Sequence, residues 1–181
     1  MSDLVLTLIG PDRPGLVETV AEVVAAHKGN WLESRMAHLA GKFAGILRVE
    51  VASDHVAALL EALAALDARG LKVVSEQSGE AGTDTAGRTL DLELVGLDRP
   101  GIVREISQIL ANSGANVEEL STDRTSAPMS GEMLFLAKAR VRLPSSADLG
   151  SLRAALERLA SDLMIEIRLV ETSLETKPRK P

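Results

Sequence analysis

Gly10-Pro11-Asp12-Arg13-Pro14-Gly15 is followed, 86 residues later, by Gly96-Leu97-Asp98-Arg99-Pro100-Gly101. Both hexapeptides come directly after a short apolar run and directly before apolar residues at helical spacing. The surrounding segments also repeat in the same order and at similar lengths. A repeat of this period indicates a duplicated structural unit, so the chain is predicted to contain two copies of one fold.

Each copy is predicted to contain the elements β-α-β-β-α-β in that order. In the first copy, residues 3–9 read as a strand and residues 14–27 as an amphipathic helix. Extended stretches at 30–39 and 42–51 follow, then a second helix, and then a strand around 71–76. This order predicts an α+β fold, the ferredoxin-like sandwich, in which helices cover one face of a four-stranded antiparallel sheet.

The same periodicity sets the expected domain boundaries. The first domain is predicted at residues 1–77 and the second at residues 88–171. Residues 78–87 are polar and glycine-rich, which is typical of a linker. Residues 172–181 end in alternating proline and basic residues, and we expect them to form a disordered tail.

Composition excludes several classes of function. The chain has no cysteine, which rules out disulfides, thiolate catalysis and cysteine-ligated zinc, and which is typical of a reducing environment. No segment has the length of a signal or membrane-spanning sequence, so a cytoplasmic protein without a membrane partner is expected. No nucleophile, nucleotide or metal motif is present, and His27, His38 and His55 lack ligand spacing. We therefore expect no enzyme activity, no cofactor and no metal.

A direct nucleic-acid partner is also not expected. The net charge is −6, whereas phosphate binding depends on clustered basic residues. Lys138, Arg140 and Arg142 do share one side of a predicted strand. The neighbouring strand of a ferredoxin-like sheet would present Asp91 and Glu93 to them, so cross-strand pairing is predicted to neutralise this basic stripe.

The repeated hexapeptide has the features of a helix start. Proline suits the first helical position because it has no amide hydrogen and a fixed φ, so Pro14 and Pro100 are predicted to be N1. Arg13 and Arg99 would then be the N-cap residues, since a residue before proline prefers extended backbone.

The residues on either side of this helix start suit a zwitterionic ligand. Gly15 and Gly101 would leave backbone N–H groups exposed at the positive end of the helix dipole, where a carboxylate binds. Asp12 and Asp98 lie just outside and could accept hydrogen bonds from an ammonium group. An amino acid satisfies both requirements. The alternative is that each aspartate merely caps its helix.

The hexapeptide, its helix and the following Gly114-Ala115-Asn116-Val117 together resemble the ACT domain, a small ligand-sensing module. In that family the loop before the first helix and the start of the second strand line a pocket between two modules, and the usual ligand is an amino acid. The resemblance implies the following ligand-binding residues: Asp12, Arg13, Pro14, Gly15, Asn30, Asp98, Arg99, Pro100, Gly101 and Asn116.

The first copy departs from the pattern before its asparagine. It has Lys28-Gly29, so the glycine is one residue late, and a lysine at a helix exit is poorly suited to positive φ. The first pocket is therefore expected to be reshaped or unused. Asn30 and Asn116 could alternatively be ordinary left-handed helix-exit residues.

Two such modules without an attached enzyme resemble the glycine cleavage system transcriptional repressor family. That resemblance implies a non-catalytic regulator that senses an amino acid such as glycine and acts on glycine cleavage genes through a protein partner, a transcription activator. The alternatives are an accessory regulatory subunit of an enzyme of amino-acid or one-carbon metabolism, and a structural dimerisation module.

An apolar sheet face predicts association. Ala44 and Ile46, aligned with Leu134 and Leu136, are expected on the side of the sheet away from the helices. Such a face invites another subunit, so a homodimer is predicted, although the other copy could cover the face within the chain.

Overall fold

The computed structural model describes residues 1–77, 87–128 and 130–172, and the chain divides into two units, Met1–Gly82 and Thr83–Pro181. Most of the predicted linker and tail lies outside the described residues. Two residues assigned to the linker and the tail are described. Gly87 begins a strand, and the amide of Thr172 donates a hydrogen bond to the carbonyl of Thr89 at 2.9 Å. Thr172 therefore remains hydrogen-bonded to the sheet one residue beyond the last strand, and the other residues of the predicted tail lie outside the described ranges.

The first unit has the predicted order of elements. Its α-helices and strands are β1 Ser2–Pro11, α1 Leu16–Ala26, β2 Asn30–Leu39, β3 Lys42–Val51, α2 Val56–Ala64 and β4 Lys72–Gln77. Short 3₁₀ helices at Ser53–His55 and Ala65–Arg69 flank α2. The strands form one antiparallel sheet in the order β2-β3-β1-β4.

The second unit repeats this arrangement. Its elements are β5 Gly87–Leu97, α3 Ile102–Asn112, β6 Asn116–Ser126, β7 Met133–Pro144, α4 Leu149–Leu163 and β8 Glu166–Glu171. The sheet order is β6-β7-β5-β8, again antiparallel. Two ferredoxin-like βαββαβ units in tandem are thus confirmed.

Each unit has its own hydrophobic core between its helices and one face of its sheet. The central strands supply the same alternating leucines in both units, all of them buried: Leu4, Leu6, Leu8, Leu90, Leu92 and Leu94. The residues between these leucines point to the other face of the sheet, because successive side chains of a strand alternate between the two faces. No helix within the described ranges is long and apolar enough to span a bilayer.

The basic stripe on β7 is neutralised as predicted. Asp91 lies opposite Arg140 and Glu93 lies opposite Lys138 in the β5–β7 register. The Lys138 Nζ lies 3.4 Å from a Glu93 carboxylate oxygen, and the Arg140 Nε lies 3.5 Å from one of Asp91. Arg142 pairs with a glutamate of β6. The stripe therefore presents matched charges and not a run of free cations.

The predicted alignment of the apolar sheet face is wrong by two residues. By strand register, Ala44 corresponds to Leu136 and not to Leu134, and Ile46 corresponds to Lys138. In the first unit this face exposes about half of each of Ile9, Ile46 and Val74, at 49%, 51% and 48%. In the second unit, charged pairs replace the centre of that apolar patch.

Candidate functional site

A left-handed glycine begins the first helix of each unit. The N-cap of α1 is Gly15, with φ 84°, and the N-cap of α3 is Gly101, with φ 92°. Their carbonyls accept the first helical hydrogen bonds, from the amide of Thr19 at 2.9 Å and from the amide of Glu105 at 3.1 Å. A residue without a Cβ adopts this backbone at little cost, which explains why the motif ends in glycine.

The predicted capping positions are therefore wrong by two residues. Pro14 and Pro100 precede the N-cap instead of following it, and Arg13 and Arg99 lie one residue further out. The fixed φ of proline shapes the turn before the helix. The chain needs this turn because it must reverse from the end of a strand into a helix that packs back on the same sheet.

The first turns of α1 and α3 have no side-chain cap at the N-cap residue. Each first turn does contain a carboxylate, Glu18 in α1 and Glu105 in α3. Glu105 forms an ion pair with the guanidinium of Arg99. Acidic residues here interact favourably with the helix dipole, so these two carboxylates stabilise the starts of α1 and α3.

The N-terminus of α4 is different. The carboxylate of Asp148 accepts hydrogen bonds from the amides of Gly150, at 3.1 Å, and Ser151, at 2.9 Å. The hydrogen bond from the Ser151 hydroxyl, with these two, lowers the pKa of Asp148. This helix start is occupied by its own cap, whereas the N-cap residues of α1 and α3 provide no side-chain cap.

A polar cleft lies beside the start of α1, with a volume of about 330 Å³. One wall is held by Arg13, whose Nη2 donates to the carbonyl of Arg69 at 2.7 Å. The cleft is lined by Arg13, Pro14, Gly15, Leu16, Glu18, Thr19, Glu22 and Arg69. It therefore offers both signs of charge, which suits a small zwitterion better than a simple anion.

Each motif aspartate already has a basic partner on the neighbouring edge strand. The Asp12 Oδ2 lies 3.6 Å from the His38 Nε2, and the Asp98 Oδ2 lies 2.6 Å from the Arg124 Nη2. Sequence reasoning assigned His38 no role and did not consider Arg124. The same spacing from the aspartate in both copies was the signal that could have identified these two residues.

The two parts of the predicted site lie at opposite ends of the sheet within one unit. Asn30 begins β2 opposite Glu50, whereas Asp12 follows Pro11, which lies opposite Lys42 at the far end of β3. A strand of this length spans roughly 30 Å at about 3.3 Å per residue. The second unit repeats the arrangement with an exposed Asn116. One pocket can therefore combine asparagine and hexapeptide only if two modules contribute.

The left-handed residues after the first helices are not the asparagines. Lys28 has φ 57° and Gly114 has φ 70°, whereas Asn30 and Asn116 begin strands. The helix-exit interpretation of the asparagines is wrong. The predicted mismatch between lysine and positive φ is confirmed. Lys28 adopts a left-handed backbone conformation, and its counterpart in the second unit, which adopts the same conformation, is a glycine.

No group of three or more histidine, aspartate or glutamate side chains within the described segments could hold a metal ion. The candidate site is therefore described by backbone amides, the paired aspartates and the arginines around them.

Several known proteins are similar to this chain in sequence or in fold. An unknown protein from Galdieria sulphuraria has a crystal structure with a TM-score of 0.81 and 30% identity, over 95% of this chain and 99% of that one. The crystal structure of a candidate glycine cleavage system transcriptional repressor aligns over 95% and 98% at a TM-score of 0.71, and at 20% identity it shows the fold alone. A UPF0237 protein of Methanococcus maripaludis is 32% identical over 79 residues, which is 43% of this chain and 81% of that protein.

Family models described as ACT domain match both halves of the chain. One matches residues 2–74 and the other matches residues 85–161, so together they include both helix starts and both asparagines. The resemblance found from the repeated hexapeptide agrees with these matches and with the folds of both units. The chain belongs to the ACT domain family and contains two ACT domains in tandem.

Proposed function

We propose that this protein is a non-catalytic regulator that senses an amino acid such as glycine and modulates transcription of glycine cleavage genes through a protein partner. Its membership of the ACT domain family supports a ligand-sensing regulatory role. The observation that carries the proposal is the pair of helix starts without a side-chain cap, each preceded by an aspartate with a basic partner, at the same position in both units.

The chemistry follows from the charges at these helix starts. The ligand carboxylate accepts hydrogen bonds from the amides that follow Gly15 or Gly101, where the helix dipole is positive. The ligand ammonium pairs with Asp12 or Asp98. Arg124 already pairs with Asp98, so binding at the second site exchanges one ion pair for another.

Asn30 and Asn116 enter the site from a neighbouring module, since each lies at the far end of its own sheet. A ligand held between modules favours the arrangement in which both halves of the site meet. The ligand changes the affinity for the protein partner to the extent that it binds this arrangement more tightly than the others. A cytoplasmic homodimer supplies the neighbouring modules.

Calorimetric titration of the full chain with glycine, serine and larger amino acids tests the sensing step. Asp98→Asn and Asp12→Asn should each weaken binding at their own site by roughly 10- to 100-fold, because a hydrogen bond to a charged group is lost. Asp54→Asn, on an exposed 3₁₀ turn outside both sites, is the matched control. If no amino acid binds the wild-type chain, the sensing proposal is wrong and a structural dimerisation module is favoured.

Trp31 reports separately on the site to which Asn30 contributes. It follows Asn30 and is the one tryptophan of the chain, so its fluorescence should change when that site is occupied. Capture experiments with the wild-type chain, with and without glycine, then identify the partner. Recovery of an amino-acid or one-carbon enzyme in place of a transcription activator would favour the accessory-subunit alternative.

A further inference from the structure

The sheet of the first unit has one face that its helices do not cover, which we call the outer face. A central row crosses three strands of this face through Ile46, Thr7 and Val74, which lie side by side in the strand register. Ile46 and Val74 are each about half exposed, and so is Ile9, next to the row. The centre of the outer face is therefore uncharged and mostly apolar.

The second unit carries charges at the same positions. By strand register, the counterparts of the central row are, in the same strand order, Lys138, Glu93 and Arg168. Lys138 and Glu93 form an ion pair at 3.4 Å. Burying such a pair against an apolar surface costs desolvation free energy that the apolar surface does not return. The corresponding face of the second unit is therefore a poor cover for the outer face of the first.

Two lysines and two glutamates lie symmetrically about the central row. On β4, Lys72 and Glu76 lie two residues on either side of the row. On β3, Lys42 and Glu50 lie four residues on either side of it. Because β3 and β4 both run antiparallel to β1, both lysines lie toward one end of the outer face and both glutamates toward the other.

This charge pattern is self-complementary under one two-fold operation. When two outer faces stack with antiparallel strands, the two-fold axis runs along the central row, and each residue meets the residue equally far beyond the row. Lys72 then faces Glu76 of the second copy, and Lys42 faces Glu50 of the second copy. The uncharged residues of the row meet their own counterparts.

Side-chain size and polarity match under the same operation. Ile9 meets Val5 of the second copy, because the two lie two residues on either side of the row on β1. The small Ala44 meets the long Arg48, which leaves room for the arginine. Arg48 is already paired with Asp3 of its own unit, so this contact buries a neutralised cation.

The other two-fold axis that could stack these faces, parallel to the strands, is disfavoured by charge. It would exchange β2 with β4 and bring Glu33 to Glu76 of the second copy. It would also exchange β1 with β3 and bring Asp3 to Glu50, and such like-charged contacts oppose association. In the favoured arrangement Arg35 meets its own counterpart, and Glu33, 3.0 Å from that guanidinium, offsets the contact.

The outer face has the area that a specific interface needs. At roughly 3.3 Å per residue and 4.8 Å between strands, the four strands cover roughly 570 Å². Two copies would bury roughly 1,100 Å² in total, and a specific interface needs roughly 1,000 Å².

We propose that two copies of this chain dimerise through the outer face of the first unit, with antiparallel strands and the two-fold axis along the central row. The inference gives a surface to the homodimer of the proposed function and is independent of the ligand. The second unit does not form the same contact, because the operation would bring Lys138 and Glu93 onto their own counterparts.

Analytical ultracentrifugation of the full-length chain tests this interface. Ile46→Lys introduces the residue of the second unit and should weaken the dimer at least about 10-fold, since two copies of the isoleucine leave the interface. Ile46 is half exposed, so the lysine side chain does not enter the core. Val170→Lys, at a similarly exposed strand position of the second unit, is the matched control and should leave the dimer unchanged.

Charge reversal tests the direction of the two-fold axis. Lys72→Glu alone and Glu76→Lys alone should each weaken the dimer roughly 2- to 25-fold, because each change removes two exposed ion pairs related by symmetry. The double variant, Lys72→Glu with Glu76→Lys, should regain the wild-type dissociation constant.

The outcomes separate the inference from the proposed sensing. Circular dichroism establishes that each variant folds. A wild-type chain that stays monomeric at every concentration overturns the inference, whereas the amino-acid titration still decides the sensing. A dimer that survives Ile46→Lys also overturns it, and so does a double reversal that remains as weak as the single variants.

Discussion

Replacing Gly101 with alanine tests whether the second helix start depends on left-handed backbone. Gly101 has φ 92°, a conformation that costs an L-residue about 1–2 kcal/mol. Alanine also restricts the unfolded chain, which returns about 0.4–1 kcal/mol. A Cβ at this position would meet its nearest neighbour, an oxygen of Glu105, at 3.8 Å, so no steric term is added. The expected net loss is about 1 kcal/mol of unfolding free energy.

Thermal and urea unfolding measure this loss. For a unit of this size, about 1 kcal/mol corresponds to roughly 4–8 °C in melting temperature. Gly131→Ala, at φ 72° with open space around it, should cost a similar amount. Gly150→Ala, in the first turn of α4 without positive φ, should be neutral or stabilising. Wild-type stability in Gly101→Ala would refute the argument, since a helix start without left-handed backbone accepts alanine freely.

Three further perturbations follow from the structure. Lys28→Gly should stabilise the first unit by about 0.5–1 kcal/mol in urea unfolding, because it relieves positive φ at an exposed position; an unchanged midpoint would contradict the assigned backbone. Asp148→Ala should lower the melting temperature at neutral pH but not in acid. The pKa of Asp148 is lower in the folded chain than in the unfolded chain, so the cap stabilises the fold at pH values above the unfolded pKa of about 4. This stabilisation is lost as the pH falls through the folded pKa. Asp148→Asn should keep much of the cap without this pH dependence. Asp91→Asn with Glu93→Gln frees Lys138 but leaves Arg140 paired with Glu119 and Arg142 paired with Glu118, so mobility-shift assays should detect no DNA binding in either variant or wild type; salt-sensitive binding by the variant would contradict the pairing of these two arginines.

Much of the fold could be read from local patterns. Alternating leucines such as Leu90 and Leu92 identify a strand because successive side chains point to opposite faces and one face is buried. The expected bounds 30–39 and 42–51 coincide with β2 and β3. The helix starts were misplaced because proline is a common N1 residue, whereas the glycine conformation depends on how the chain reverses between strand and helix.

The candidate site was harder to read, because its parts come from distant segments. The ion pair of Asp98 with Arg124 forms only because β6 runs back along the sheet to the end of β5. The alignment of Ala44 failed for a related reason, since strand register depends on where a loop takes up extra residues. Neither feature has a signature within a short window of sequence.

By itself, the sequence determined that the fold is duplicated, that each copy is βαββαβ, and that the repeated hexapeptide precedes the first helix of each copy, because periodicity and repeated motifs are local properties. The tertiary structure decided which basic residues lie beside the motif aspartates and that the asparagines lie at the far ends of the sheets. These features depend on strand order and register, which bring residues together only when the chain is folded.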